Sequence, residues 1–251
     1  MKENDGRQDV ITIAHAFGGI DGVSYTNSLE AFRENYAKGH RTFEVDFSVT
    51  SDGRLVCLHD WGKGEQNGVT TGGAASEEQF LAAKFAGKYT TMSLAGLFDL
   101  MKEYPDIWIV TDTKDAGEEQ VRRDFEILLE TAKEMNAEDV LARFVVQFYN
   151  EKMFRVIEEI YHFDNYIFTL YQLWNGKTRS FKEYVQFCKE NGVPVITMWA
   201  HLANKRILKI AKDNGIEIYV HTVNDLPQAK KLQAIGVKGF YTDYLAPSDF
   251  D

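Results

Sequence analysis

The chain has 251 residues, 44% hydrophobic and 26% charged, a composition that suits a globular protein able to bury a full core. Its formal charge of -10, from 28 Lys and Arg against 38 Asp and Glu, excludes a general nucleic-acid binder. Any anionic ligand must therefore meet local positive charge, and no apolar run is long enough to span a bilayer as a helix.

Short β-type runs alternate with amphipathic stretches along the chain. VITIAH (10–15) reads as the first strand and ends in His15. TNSLEAF opens a helix over 28–38, with Asn27 expected as its N-cap and Glu30 as the partner at the third position. A phosphate resting at that helix start is the functional reading of the same residues. TFEVDFSV (42–49) is the second strand, and RLVCLH (54–59) folds back on it after SDGR. Residues 61–92, rich in Gly and Ala, break the rhythm and are expected as a cap over one end of the fold, or else as a surface loop.

Then follow a helix at 93–103, the strand DIWIVTD (106–112), a helix at 118–135 and the strand ARFVVQF (142–148). A helix at 151–161, NYIFTLY (165–171), a helix at 178–190 and VPVITMW (193–199) continue the pattern. A helix at 203–213, IEIYVHT (216–222), a helix at 225–234 and GFYTD (239–243) complete it. In 118–135 the apolar residues Val121, Phe125, Leu128 and Ala132 recur at helical spacing. Gly192 and Gly215 are expected as left-handed helix ends before strands. Eight strands with intervening helices in this length predict an α/β fold, a (β/α)8 TIM barrel with a small cap insertion between strands two and three. One domain over 1–251 accounts for the pattern, with 61–92 as the cap insertion. An open dinucleotide-binding sheet would need GxGxxG after the first strand, and AHAFGGIDG lacks that spacing.

The segment FEVDFSVTSDGRLVCLHD carries the chemistry. Alternation places Glu44, Asp46 and Ser48 on one face of the second strand. A two-residue turn at Asp52-Gly53 would set Val49 opposite Val56, Phe47 opposite Leu58 and Asp46 opposite His59. By itself that face reads as a solvated hairpin. His15 and Asp112, at the ends of two other strands, converge on the same barrel mouth. Three carboxylates around one point repel unless a cation joins them, and an all-oxygen set suits a hard divalent ion. Two imidazoles flanking such an ion make an acid and base pair for phosphorus chemistry. Lys114 shares a face with Asp112 and is placed to hold a phosphate oxygen. His221 ends the seventh strand, either facing the mouth or packed in the core, while His40 and His162 are expected on the surface.

With these residues named, the chain resembles the glycerophosphodiester phosphodiesterase family of the phosphatidylinositol phospholipase C-like superfamily. The resemblance runs from His15 through Asn27-Ser28 and Glu44-x-Asp46 to His59-Asp60, then through VTDTK, VQFYNEKMF, HTVND and YTDYLAP. It implies a metal-dependent phosphodiesterase with His15 and His59 as acid and base. Glu44, Asp46 and Asp112 would ligate one divalent cation, Mg²⁺ or Ca²⁺ with Mn²⁺ as a third candidate. Lys114, Asn27, Lys63 and His221 would meet the substrate, a small glycerophosphodiester or phospholipid-derived diester. The sequence departs from the family pattern at Ala16, where an Arg is usual, and at Thr26, Asp112 and His221, where an acid, a Glu and a Trp are usual. Lys63 is the candidate to replace that Arg. The alternatives are a sphingomyelinase D-like or phosphatidylinositol phospholipase C-like enzyme acting on lipid, and a non-catalytic binding module. The polar opening MKENDGRQDV and two cysteines, Cys57 and Cys188, expected as buried thiols, favour a cytoplasmic setting, with an excised extracytoplasmic domain as the other expectation.

Overall fold

A computed structural model describes residues 11–61, 73–114, 116–170 and 180–251. Among them, eight parallel strands close into a barrel: β1 Ile11–Ala14, β2 Thr42–Val49, β6 Trp108–Asp112, β7 Phe144–Phe148, β8 Tyr166–Thr169, β9 Val195–Trp199, β10 Glu217–His221 and β11 Gly239–Thr242. Closure comes from β1, which pairs with β11 on one side and with β2 on the other. β3 Leu55–Cys57 lies antiparallel to β2 outside the ring. β4 Lys84–Phe85 and β5 Tyr89–Thr90 form a separate hairpin. The helices are α1 Leu29–Ala37, α2 Glu77–Ala82, α3 Leu94–Glu103, α4 Glu118–Glu134, α5 Glu151–Ile160, α6 Phe181–Glu190, α7 Lys205–Lys212 and α8 Leu226–Ile235.

The expected strands and helices form where periodicity placed them, and α2 with the β4–β5 hairpin are additional elements within 61–92. In α4, Val121, Phe125, Leu128 and Ala132 are buried, the stripe that seats this helix on the barrel. Gly192 and Gly215 take φ of 67° and 75°, the left-handed conformation that ends α6 and α7 before the next strands. Outward-facing strand residues such as Phe43, Val45, Phe148 and Phe168 pack against the helices. Inward-facing Ile13, Val110, Ile167, Val195, Tyr219 and Tyr241 fill the lumen as a second cluster. Cys57 and Cys188 are buried free thiols.

Two local expectations are corrected. The β2–β3 turn is one residue longer than Asp52-Gly53 suggests. Thr50 and Arg54 close a loop of Ser51, Asp52 and Gly53, with Gly53 at φ 80°. The register therefore sets Phe47 against Cys57, Ser48 against Val56 and Val49 against Leu55. His40 is buried, not on the surface, and its Nε2–H donates to the Leu245 carbonyl at 3.0 Å. His162 is exposed beside Glu158, as expected.

The described part of 61–92 packs beside the barrel mouth. Phe80 of α2 joins Val56 and Leu58, and Trp61 closes that small cluster. Thr90 donates from its N–H and its hydroxyl to Glu30 at the start of α1, both at 2.7 Å. Lys88 pairs with Asp21, which also accepts from the Tyr89 hydroxyl. Of residues 73–92, none lines the cavity described below.

Candidate active site

The C-terminal ends of the strands open into a cavity of about 350 Å³ lined by His15, Tyr25, Glu44, His59, Asp112, Lys114, Gln147, Trp199, His221, Thr222 and Tyr241. Strand alternation builds it. Glu44 and Asp46 point inward from β2, and Asp46 lies level with Asp112 on β6. His15 follows the last residue of β1, while Trp199 and His221 are the last residues of β9 and β10.

Glu44, Asp46 and Asp112 are buried, and each offers a carboxylate oxygen within 4.8 Å of the others. Each oxygen has a defined neighbour or a conspicuous lack of one. The Ala16 N–H donates to Glu44 Oε2 at 2.7 Å, and Glu44 Oε1 is buried with no hydrogen-bond partner. Asn27 Nδ2 donates to Asp46 Oδ2 at 2.8 Å, and the Asp46 N–H donates back to Asn27 Oδ1 at 3.1 Å. The Lys114 ammonium bridges Asp46 Oδ1 and Asp112 Oδ2, both at 2.5 Å. One ammonium among three buried carboxylates leaves surplus negative charge. Burial, reinforced by Asp46, accordingly pushes the Glu44 carboxyl up to about 8. Burial likewise raises Asp112. Burial also works against ionisation of Asp46, but Lys114, His59, His15 and the Asn27 amide outweigh it and hold that carboxyl below its usual range. A hard divalent cation fits this donor set. It would be met by three carboxylates and would give the orphaned Glu44 oxygen a partner.

Of the histidines that line the cavity, His15 and His59 each carry a carboxylate on Nδ1. His15 Nδ1–H donates to Asp243 Oδ1 at 2.9 Å, leaving Nε2 4.0 Å from Glu44 Oε2. Asp243 is fixed in turn by Asn224, whose Nδ2 donates to Asp243 Oδ2 and whose Oδ1 accepts the Asp243 N–H, both at 2.7 Å. Burial alone would lower the His15 pKa. The charge of Glu44, the Asp243 hydrogen bond and Asp46 overcome it and raise it to about 9. His59 Nδ1–H donates to Asp60 Oδ2 at 2.9 Å. The expected pairing of His59 with Asp46 does not occur in the ladder, where Leu58 takes that level by donating to the Asp46 carbonyl at 2.9 Å. His59 reaches the cavity because the chain leaves the ladder at that point. A carboxylate on each Nδ1 fixes the ring orientation, and His15 Nε2 is left facing Glu44.

The structure therefore gathers His15, Glu44, His59, Asp112, Lys114 and His221 around one cavity, with Asp46 buried beside Glu44 and Asp112. The expected N-cap role of Asn27 is corrected: Ser28 caps α1, accepting from the Ala31 N–H, while Asn27 spends its amide on Asp46. Lys63 lies outside the described residues. Ala16 is fully buried, and its backbone, not its side chain, serves the site. His221 packs against Trp199, ring centroids 4.5 Å apart, and burial holds its pKa down to about 3. The floor is Tyr241, whose hydroxyl donates to Gln147 Oε1 at 2.9 Å. Among the described residues 73–92, Phe80 and Phe85 are buried in packing and Leu81 is exposed. Asp243, Asn224 and Tyr25 were not singled out from sequence. The strand-end runs HTVND and FYTD were the available signal, since polar residues just past a barrel strand face its mouth.

Residues 19–246 match the model of the glycerophosphoryl diester phosphodiesterase family. Among solved structures, a glycerophosphodiester phosphodiesterase from Parabacteroides distasonis ATCC 8503 is 17% identical with TM-score 0.72, covering 98% of this chain and 97% of that one. One from Thermotoga maritima is 19% identical with TM-score 0.66, covering 93% and 94%. An Oleispira antarctica phosphodiesterase in complex with the product sn-glycerol-3-phosphate is 14% identical with TM-score 0.72, covering 96% and 95%. These structures share the fold.

Proposed function

Because the chain belongs to the glycerophosphoryl diester phosphodiesterase family, we propose that it hydrolyses glycerophosphodiesters to an alcohol and glycerol phosphate at the barrel mouth. The observation that carries this reading is the buried Glu44, Asp46 and Asp112 cluster, with its orphaned Glu44 oxygen, flanked by His15 and His59. Those carboxylates would hold one divalent cation, Mg²⁺ or Ca²⁺. When bound, the cation would offset phosphate charge and make a nearby hydroxyl more acidic.

The residues of the chain would do the rest. One of the two histidines accepts the proton of the neighbouring glycerol hydroxyl as its oxygen bonds to phosphorus. The other protonates the departing alcohol oxygen as its bond to phosphorus breaks, leaving a cyclic glycerol phosphate. In the second step the histidines exchange roles and water opens the ring. Asp243 and Asp60 hold the imidazoles in the orientation this needs, Asn27 keeps Asp46 in place, and Lys114 contacts a phosphate oxygen. Replacing His15 or His59 by Ala is expected to lower turnover of a glycerophosphodiester by about 10²–10⁴-fold with folding intact. Full activity in both variants would end the two-histidine mechanism.

A further inference from the structure

Tyr25 sits in the loop between β1 and α1, and the mechanism above leaves it without a task. Its ring stands edge-on to both imidazoles, with centroids 4.6 Å from His15 at an interplanar angle of 80° and 5.2 Å from His59 at 85°. It therefore contacts both of the groups that must flank the phosphorus. The side chain is 41% exposed yet lines the same cavity as both histidines, Glu44, Asp112 and Lys114. Its backbone is left-handed at φ 61°, a conformation unfavourable for a bulky side chain and often found where a loop is shaped for a ligand.

Tyr25 lines the cavity together with the acidic cluster, Lys114 and the His15 and His59 imidazoles. Burial raises the phenol pKa, the charges of Asp243, Asp46 and Glu44 add to it, and Lys114 opposes them. The phenol thus keeps its proton across the neutral range and is available as a donor. A phosphodiester carries non-bridging oxygens that accept, and a donor beside them strengthens the hold on the anion.

We propose that Tyr25 is a substrate-binding residue whose O–H donates to a non-bridging oxygen of the phosphodiester, while its ring holds the His15 and His59 imidazoles apart on either side of that phosphate. This rests on the phosphodiesterase reading, and the test separates the two.

Wild type, Tyr25→Phe and Tyr25→Ala, each loaded with Mg²⁺, are compared in hydrolysis of a glycerophosphodiester and in calorimetric titration with sn-glycerol 3-phosphate. Tyr25→Phe is expected to lose about tenfold to a hundredfold in kcat/KM, through KM, to lose comparable affinity for sn-glycerol 3-phosphate, and to keep the wild-type pH profile. Tyr25→Ala is expected to lose more and to shift the pH profile, because the imidazoles are no longer held apart. Equal KM and equal affinity in wild type and Tyr25→Phe would overturn the donor role. Identical pH profiles in wild type and Tyr25→Ala would overturn the spacing role. If the wild type binds sn-glycerol 3-phosphate but hydrolyses no diester, the phosphodiesterase reading fails while the titration still decides Tyr25. If it neither hydrolyses nor binds, both fall.

Discussion

The two ends of the barrel are built from the same strands and have opposite chemistry. At the N-terminal end, Ile11, Ile13, Val110, Val145, Ile167, Val195 and Tyr219 line a mostly apolar cavity of about 140 Å³. Two or four residues further along the same inward stripes, Ile13 gives way to His15, Val110 to Asp112, Val145 to Gln147 and Tyr219 to His221. Thr42 gives way to Glu44 and then Asp46 on β2. The pleat keeps each stripe pointing inward, so a change of residue type along a stripe becomes a change of depth in the barrel. One end is a plug that stabilises, the other a cluster of charges that burial opposes. The difference teaches that the stability and the chemistry of this fold are separable by position along a strand.

The largest expected effect falls at the charged end. Asp46→Asn keeps the size of the side chain but removes a carboxylate charge from the cluster, and is expected to weaken divalent-cation affinity by more than about 100-fold, read by calorimetric titration. Retained affinity would mean that Asp46 is not a ligand and would blur the contrast between the ends. Ile167→Ala at the plug is expected to cost about 2–5 kcal/mol of unfolding free energy while leaving activity per folded molecule near wild type. A fall in kcat at full folding would show the two ends to be coupled.

The barrel seam offers a pH test. Burial pushes the His40 pKa down to about 4, so the folded state keeps this ring neutral more strongly than the unfolded chain does. Its contribution is fully present above the unfolded value of 6.5 and is lost as pH falls through 4, a total of about 3 kcal/mol. Urea unfolding at pH 7 and pH 4.5 should show a smaller acid loss for His40→Gln than for wild type. Equal losses would assign the acid sensitivity elsewhere. The smallest effect is expected one layer behind the charged cluster. Asn27→Ala frees the Asp46 carboxylate and is expected to cost about 10–100-fold in divalent-cation affinity. No change there would show that the cluster needs no support from α1.

The strand and helix order was legible because every barrel strand is short, apolar and followed by an amphipathic run. The charged half of the site was legible for the same reason: period-two alternation puts Glu44 and Asp46 on one face whatever lies beside them. What was not legible depended on partners far along the chain. Asn27 and Ser28 are both capable N-caps, and only the position of Asp46 decides which of them is free to cap. His40 looks polar and loop-bound until Leu245, 205 residues on, closes over it. Asp243 meets His15 across 228 residues, through the β1–β11 pairing that seals the barrel. The β2–β3 register slipped for a local reason, since Thr50 pairs with Arg54 and turns an apparent two-residue turn into three.

The central claim is that the buried carboxylates hold a divalent cation needed to cleave a glycerophosphodiester between the two histidines. Phosphorus NMR of glycerophosphoglycerol incubated with metal-stripped protein tests it most directly. The account predicts conversion to glycerol phosphate when Mg²⁺ or Ca²⁺ is added and arrest when EDTA follows. Unchanged substrate with every divalent cation, or hydrolysis that continues undiminished in EDTA, would contradict it.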